Sequence, residues 1–381
     1  MFDVHANDQQ HLQDIQALIR AEIEKTGPLS FERYMSLALY TPNLGYYRAR
    51  RPKFGKAGDF ITAPEISPLF SQCLAQQCLS IREALPTFSV LELGAGSGKM
   101  AYDLLQTLAA LDALPEKYFI LEISGSLQQT QKEKIHTLPT AIADRVEWLT
   151  QLPTGFTGVI LANEVIDAMP VHRFRVDEQG IHEFYVTFKE AQFHWQTSTP
   201  STPDLTKAIQ DLNLQPLPYE SEINLFLPAW INSLGACLKQ GVILLIDYGF
   251  PRHEFYHPDR TMGTLMCHYH HQAHSDPLIL TGLQDITVHV DFTQVAESAL
   301  HAHLEVLGFT NQAAFLLNLH LLDFLEAAMA AHPAQQTALA HQVKRLTLPT
   351  EMGELFKVMA LGKGLDIPLQ GFATQDQRQR L

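Results

Sequence analysis

Val90-Leu91-Glu92-Leu93-Gly94-Ala95-Gly96-Ser97-Gly98 joins an apolar run carrying an acid near its end to three glycines at alternate positions. The run predicts a buried parallel strand, and the glycines predict a tight turn opening a helix near Lys99-Met100. Such a turn lets backbone approach a ligand closely and aims unpaired N–H groups at it. The spacing removes two ligand classes. A dinucleotide fingerprint needs G-x-G-x-x-G, and here the third glycine arrives one residue early. A P-loop needs G-x-x-x-x-G-K-[ST], but Met100 follows Gly98-Lys99 and Leu93 stands where a glycine is required.

Working outward, strands and helices alternate. Ser89–Leu93 reads as a strand with a helix from Met100 to Leu111. Tyr118–Ile123 follows, then a polar helix over 126–136, short strands at Arg145–Leu149 and Gly158–Asn163, and the apolar run VILLID at Val242–Asp247. This pattern predicts an α/β fold with a doubly wound, mostly parallel sheet and a ligand at the carboxyl ends of its strands. Upstream, Leu12–Ile23 and a segment capped by Ser30 read as helices, the stretch from Thr41 to Pro64 as an ordered loop rich in Gly, Pro and aromatics (Tyr46, Tyr47, Phe54, Phe60), and Ser67–Ala84 as a further helix. Between the strands at Gly158 and Val242, the alternating runs 171–176, 181–188 and 192–197 predict an antiparallel meander, with a helix over 225–238 after it. Beyond Gly308-Phe309 the chain reads as helical and Ala-rich from Leu316 to Ala340. A last strand is expected at Leu355–Leu361 and a frayed polar tail at Gln375–Leu381. The resulting division is an N-terminal helical region with a covering loop (1–85), the first part of the core (86–170), an inserted meander and helix for a substrate or partner (171–240), and the rest of the core with C-terminal helices (241–381).

With 381 residues, 46% of them hydrophobic, the chain can bury more than one core. A net charge of −14 argues against nucleic acid or an anionic membrane as the main partner and suits a cationic one. Cys73, Cys78, Cys237 and Cys267 form no C-x-x-C pair, so reduced buried thiols are expected. The polar N-terminus lacks signal- and transit-peptide character, and no apolar run approaches a membrane span, so the cytoplasm is the expected compartment. In Cys267-His268-Tyr269-His270-His271-Gln272-Ala273-His274, His270 and His274 have the spacing of a helical zinc pair, but no glutamate completes H-E-x-x-H and no metal is expected.

Glu-x-Gly-x-Gly-x-Gly after a strand resembles the first motif of class I methyltransferases that use S-adenosylmethionine. That reading asks for three things: a backbone-lined turn, an acid for the ribose and a handle for the methionine end. Gly94, Gly96 and Gly98 supply the turn. Glu122, closing the strand Phe119-Ile120-Leu121, can accept two hydrogen bonds from a ribose diol. Glu92 is placed near the amino end, where a carboxylate can hold an ammonium. After the fourth strand, Asn163, Glu164 and Asp167 crowd together, and one helical turn would put Glu164 and Asp167 on one face. Two carboxylates there can grip a guanidinium bidentately and orient its lone pair. Asp247-Tyr248-Gly249 also falls at a carboxyl edge.

Further motifs narrow the resemblance. Gly27-Pro28-Leu29-Ser30, Tyr34-Met35, Gly45-Tyr46-Tyr47 and the run from Gly58-Asp59-Phe60-Ile61-Thr62-Ala63-Pro64 to Ser67 are similar to the N-terminal signature of the MidA family. LELGAGSGKMAYDLL (91–105), ANEVIDAMPVHRF (162–174), IDYGF (246–250), DPLILTGLQDITVHVDFT (276–293) and MGELFKVMALGKG (352–364) extend it over nearly the whole chain. The resemblance implies a Rossmann-like methyltransferase core, S-adenosyl-L-methionine as methyl donor and, for the mitochondrial member, symmetric dimethylation of an arginine on a respiratory complex I subunit. It implies donor contacts from Glu92, Gly94, Gly96, Gly98, Glu122 and Asn163, with Thr62, Ala63 and Pro64 covering the donor. Asn163, Glu164 and Asp167 would face a protein acceptor. His271, His274, Asp285, His289 and Asp291 match a later family motif without an assigned role. Thr281 stands where the family usually has proline, and Met266 where arginine is common. Two other readings are open: an assembly chaperone that binds the donor with little turnover, and a small-molecule methyltransferase.

Overall fold

The computed structural model describes residues 6–49 and 61–381. Phe54, Phe60 and the Gly58-Asp59-Phe60 part of the N-terminal motif lie outside them. The chain forms two compact units. One comprises the chain up to residue 49 with Ile166–Leu227 and Arg252–His289. The other comprises Ile61–Val165, Pro228–Pro251 and Val290–Leu381.

The second unit holds the central sheet. Its strands lie in the order Glu305–Asn311, Phe356–Lys363, Leu238–Phe250, Phe156–Asn163, Ser89–Leu93, Tyr118–Leu121 and Val146–Leu149. The last five are mutually parallel, and Phe356–Lys363 runs antiparallel to both of its neighbours. The chain starts in the middle at Ser89–Leu93, winds outward to Val146–Leu149, then returns to Phe156–Asn163 on the other side of its starting strand. That reversal is a topological switch point, where a crevice opens beyond the carboxyl ends of the two diverging strands. The Val242–Ile246 stretch is buried at every residue because helices cover both faces of a parallel sheet. Each such side chain contributes about 1.5–3 kcal/mol by burial. The helices Pro68–Glu83 and Lys99–Ala110 bring Leu74, Cys78, Leu104 and Leu105 into this core. Ser67 caps the first of them by accepting from the Leu69 N–H at 3.4 Å.

Two expectations fail in this unit. Glu305–Asn311 is a strand that runs past Gly308-Phe309, beyond which the chain reads as helical. A register shift falls between Val306 and Gly308, and a Cβ on Gly308 would lie 2.3 Å from the Phe372 ring. Its glycine therefore serves a long-range packing contact rather than a turn. The tail is not frayed either. Gln377 N–H donates to the Phe309 carbonyl at 2.6 Å, and Asp376 Oδ1 accepts from the Phe309 N–H at 3.3 Å. The helical region between is three helices, Gln312–Asn318, Leu321–Ala331 and Gln336–Thr347. Among the described residues no single helix is long and apolar enough to cross a membrane.

The first unit starts with the helices Ala6–Thr26 and Phe31–Tyr40, the second capped by Ser30 Oγ accepting from the Arg33 N–H at 3.2 Å. The predicted meander forms as His172–Asp177, Gly180–Lys189 and Gln192–Ser198. Tyr219–Ile223 joins it antiparallel to His172–Asp177, and Leu29–Ser30 pairs with Gly180–Lys189. The helix Pro203–Asp211 packs Leu205 and Ile209 on Phe174 and Tyr219 of this sheet. A three-stranded sheet, Gln272–His274, Met266–Tyr269 and Asp285–Thr287, completes the unit. The histidine run is thus a hairpin, with His270 and His271 at φ +46° and +61° in its turn. The i,i+4 helical spacing of His270 and His274 does not exist in space, and among the described residues no group of three or more His, Cys, Asp or Glu side chains could hold a metal.

Candidate active site

The glycine turn sits at the switch point as a left-handed loop. Gly94, Gly96 and Gly98 have φ of +65°, +52° and +76°, a region that side chains with a Cβ rarely enter. The turn is anchored to the next strand by Gly94 N–H donating to the Leu121 carbonyl at 3.0 Å. Gly98 is the cap residue of the helix Lys99–Ala110, so the first N–H groups of that helix and their positive dipole end lie against the loop.

Glu122 follows the adjacent strand directly and is buried. Its Oε1 accepts from the Ser124 N–H at 2.9 Å and its Oε2 from Gln131 Nε2 at 3.1 Å. Gln131 Nε2 also donates to the Gly96 carbonyl at 2.9 Å, while Trp148 Nε1 donates to Gln131 Oε1 at 2.9 Å. One fully buried amide therefore ties the glycine turn to the acid, and an indole holds that amide in place. Sequence reasoning missed Gln131. The signal was there: Leu127, Gln131 and Ile135 are the buried residues of the helix Gly125–Ile135 at i, i+4 and i+8, with a polar residue inside the apolar stripe.

Glu92 occupies a different environment. It is 1% exposed, and Tyr118 OH donates to its Oε2 at 2.6 Å. Burial pushes its carboxyl up to about 7, the Tyr118 hydrogen bond working against this and the charge of Glu122 with it. Thr62, Ala63 and Pro64 open a short helix, Ala63–Ile66, that the sequence reading took as loop. The next residue, Glu65, accepts a hydrogen bond from Ser97 Oγ inside the glycine turn. This carboxylate joins the N-terminal segment to the turn, and no sequence pattern announced it.

At the end of Phe156–Asn163, Asn163 Nδ2 donates to Glu164 Oε1 at 3.0 Å. Asn163 Oδ1 is buried and has no hydrogen-bond partner among the described residues. Glu164 takes φ +52°, a left-handed conformation costly for a residue with a side chain, while its N–H donates to the Ile246 carbonyl at 2.9 Å. No helical turn follows it. Asp167 instead lies in a tight turn closed by Met169 N–H donating to the Ile166 carbonyl at 3.0 Å, so the expected one-turn alignment of the two acids is not how this segment is built.

In the first unit, Asp167 is 5% exposed and its carbonyl accepts from the Val288 N–H at 3.0 Å. Tyr40 OH donates to the Ala168 carbonyl at 2.8 Å, and its ring stacks on Tyr47 at 5.7 Å. Tyr47 OH donates to Asp285 Oδ1 at 2.8 Å. Burial, and then the charges of Asp285 and Asp167, hold the Tyr47 phenol well above its ordinary value. Asp291 caps the helix Phe292–His301, accepting from the Thr293 and Gln294 N–H groups at 3.0 and 3.1 Å. Thr281, at the family's proline position, hydrogen-bonds the buried Tyr34 OH at 2.7 Å. Asp247 is buried with Oδ1 accepting its neighbour's N–H at 3.0 Å.

Residues 73–310 match a family described as S-adenosyl-L-methionine-dependent methyltransferases. The chain is 38% identical to a COG1565 superfamily member from Burkholderia thailandensis whose crystal structure is bound to S-adenosyl-homocysteine, with a TM-score of 0.95 and 100% of both chains covered. It is 30% identical to the mitochondrial protein arginine methyltransferase NDUFAF7 homolog of Drosophila melanogaster, over 91% of this chain and 84% of that one. The human mitochondrial protein arginine methyltransferase NDUFAF7 is 28% identical over 89% of this chain and 81% of its own.

Proposed function

The chain belongs to the MidA family of S-adenosyl-L-methionine-dependent methyltransferases, and from that membership we propose that it is a protein arginine N-methyltransferase with S-adenosyl-L-methionine as donor. The residues present fit that donor. The left-handed Gly94, Gly96 and Gly98 carry no Cβ, so a ligand can approach the backbone at these positions, and Gln131 and Ser124 orient Glu122 as an acceptor for a sugar diol. The buried Asn163 Oδ1, without a partner among the described residues, can accept a hydrogen bond from the amino end of a methionine moiety. When bound, the donor supplies a methyl group activated by a sulfonium.

The chain's own residues then have limited work. Direct displacement disperses charge, so catalysis consists mainly of alignment and exclusion of water. Glu164 is assigned the grip on the acceptor guanidinium. Thr62, Ala63 and Pro64, in the segment tied to Ser97 through Glu65, are assigned the cover of the donor. Four buried free thiols agree with a reducing compartment such as the cytoplasm.

The observation that carries this reading is the strand end at Asn163-Glu164. A strained, left-handed carboxylate residue there adjoins an orphan acceptor at the switch point. The test is transfer of labelled methyl groups from S-adenosyl-L-methionine to bacterial lysate proteins, followed by acid hydrolysis. Label in methylarginine, lost in Glu164→Ala while calorimetric donor affinity persists, is the expected result. Undiminished transfer in that variant removes Glu164 from its role, and label confined to small molecules refutes a protein acceptor.

A further inference from the structure

The first unit contains a cavity of about 600 Å³ that no role so far uses. Phe193 and Trp195 of the strand Gln192–Ser198 line it together with Asp276, Leu278 and Ile279 and with Gln16 of the first helix. This size accommodates a few side chains. The aromatic lining is rigid. Phe193 packs edge-on against Tyr34 at 5.4 Å, and Trp195 lies 5.2 Å from Phe31 with the Arg173 guanidinium over its ring at 4.9 Å.

The segment 276–279 is fixed as well. Asp276 Oδ1 accepts from the Leu278 N–H at 3.0 Å, the Asp276 carbonyl accepts from Gln284 Nε2 at 3.1 Å, and the Pro277 carbonyl accepts from Tyr34 OH at 3.0 Å. Asp276 is exposed, its N–H donates to His274 Nδ1 at 3.3 Å, and among the described residues no lysine or arginine forms an ion pair with it. A preset carboxylate in a cavity lined by aromatic and aliphatic side chains suits a long cationic side chain, whose stem packs on apolar surface while its head meets the acid.

A second feature adjoins it. Among the described residues Gln192–Ser198 pairs only with Gly180–Lys189, so its outer edge is an open sheet edge. Exposed edges accept an extended peptide by strand addition, main chain giving affinity and side-chain pockets giving selectivity. The overall charge of −14 favours approach of a basic segment.

We propose that this edge and cavity dock an extended, arginine-bearing segment of the acceptor protein, by strand addition along Gln192–Ser198 with a cationic side chain directed to Asp276. The biological occupant rests on the protein-methylation reading. The binding event does not, and the two fail separately.

The probe is a short capped, fluorescein-labelled peptide of alternating valine and threonine with one central arginine, titrated by anisotropy into the full chain. Binding should weaken about tenfold or more when the peptide arginine becomes glutamine, and equally when the chain carries Asp276→Lys, with Asp276→Asn intermediate. N-methylation of alternate peptide nitrogens should also weaken it. Asp276 is on the surface, so calorimetric affinity for S-adenosyl-L-methionine should be unchanged in both variants and serves as the check on folding. Equal affinity for the glutamine peptide, or indifference to Asp276→Lys, overturns the proposal. So does absence of binding, including the case where Asp276→Lys dissociates a self-associated chain and a second copy proves to be the occupant. Loss of peptide binding with methyl transfer to lysate proteins intact would sink the docking surface alone. Intact transfer in Glu164→Ala with peptide binding retained would sink only the catalytic assignment.

Discussion

Buried carboxylates occur in both units, and they are assembled in opposite ways. In the sheet-bearing unit, Glu92 and Glu122 come from adjacent parallel strands, and Gln131 ties Glu122 to the Gly94–Gly98 turn. In the other unit, Asp167 and Asp285 are far apart in sequence, and their charges act on one phenol, Tyr47, of a third segment. The difference separates two kinds of site. One kind is a property of a local strand–turn–helix unit, built largely from backbone. The other exists only when distant segments pack, and is built from side chains.

The sharpest way to break this comparison is Gly96→Val. At φ +52° a β-branched side chain is strained. Donor affinity by calorimetry should fall at least about a hundredfold, roughly 3 kcal/mol, with the cooperative unfolding transition retained. Normal affinity in the folded variant would mean the turn's backbone is not the binding surface. Glu122→Ala should follow, losing about ten- to a hundredfold in donor affinity, because the variant also strands the Gln131 amide and the Ser124 N–H.

Glu92 sharpens the contrast within the same unit. Its carboxyl binds a proton more tightly in the folded chain than at its ordinary value of 4.5, being raised to about 7. The folded state therefore holds the extra proton between those values, and stability should fall as pH rises through that window. Glu92→Gln should flatten this slope, gaining up to roughly 3 kcal/mol over the natural chain at about pH 8. Urea unfolding of the donor-free protein at about pH 5 and about pH 8 measures it, and an unchanged slope would place the titrating group elsewhere. The smallest effect is expected at the tail. Asp376→Ala removes an acceptor from the Phe309 N–H and should cost about 1 kcal/mol in the same assay, whereas no change would return the tail to the frayed state its composition suggests.

Legibility divides along the same line. The Ser89–Leu93 strand, its turn and its helix were readable because apolar period, glycine placement and helix start are local signals that agree. Ser30 and Ser67 were readable as helix starts for the same reason. Gln131 and Glu65 were not, since their partners Gly96 and Ser97 lie in other segments and polar side chains carry no address. Gly308 misled because a glycine that admits the Phe372 ring looks in sequence like a glycine in the connection before a helical region. The i,i+4 spacing in the histidine run carries no geometry, because it has meaning only on a helix and His270-His271 form a hairpin turn.

By itself, the sequence determined the wound sheet, the glycine turn and the acid on the next strand. Each follows from hydrophobic period and backbone freedom over a few consecutive residues. Only the tertiary structure decided that Glu92 would be buried against Tyr118, that Glu164 would take a left-handed backbone, and that Tyr47 would hold Asp285. Those outcomes depend on which polar atoms are removed from water together, and that is settled only when segments distant in the chain pack.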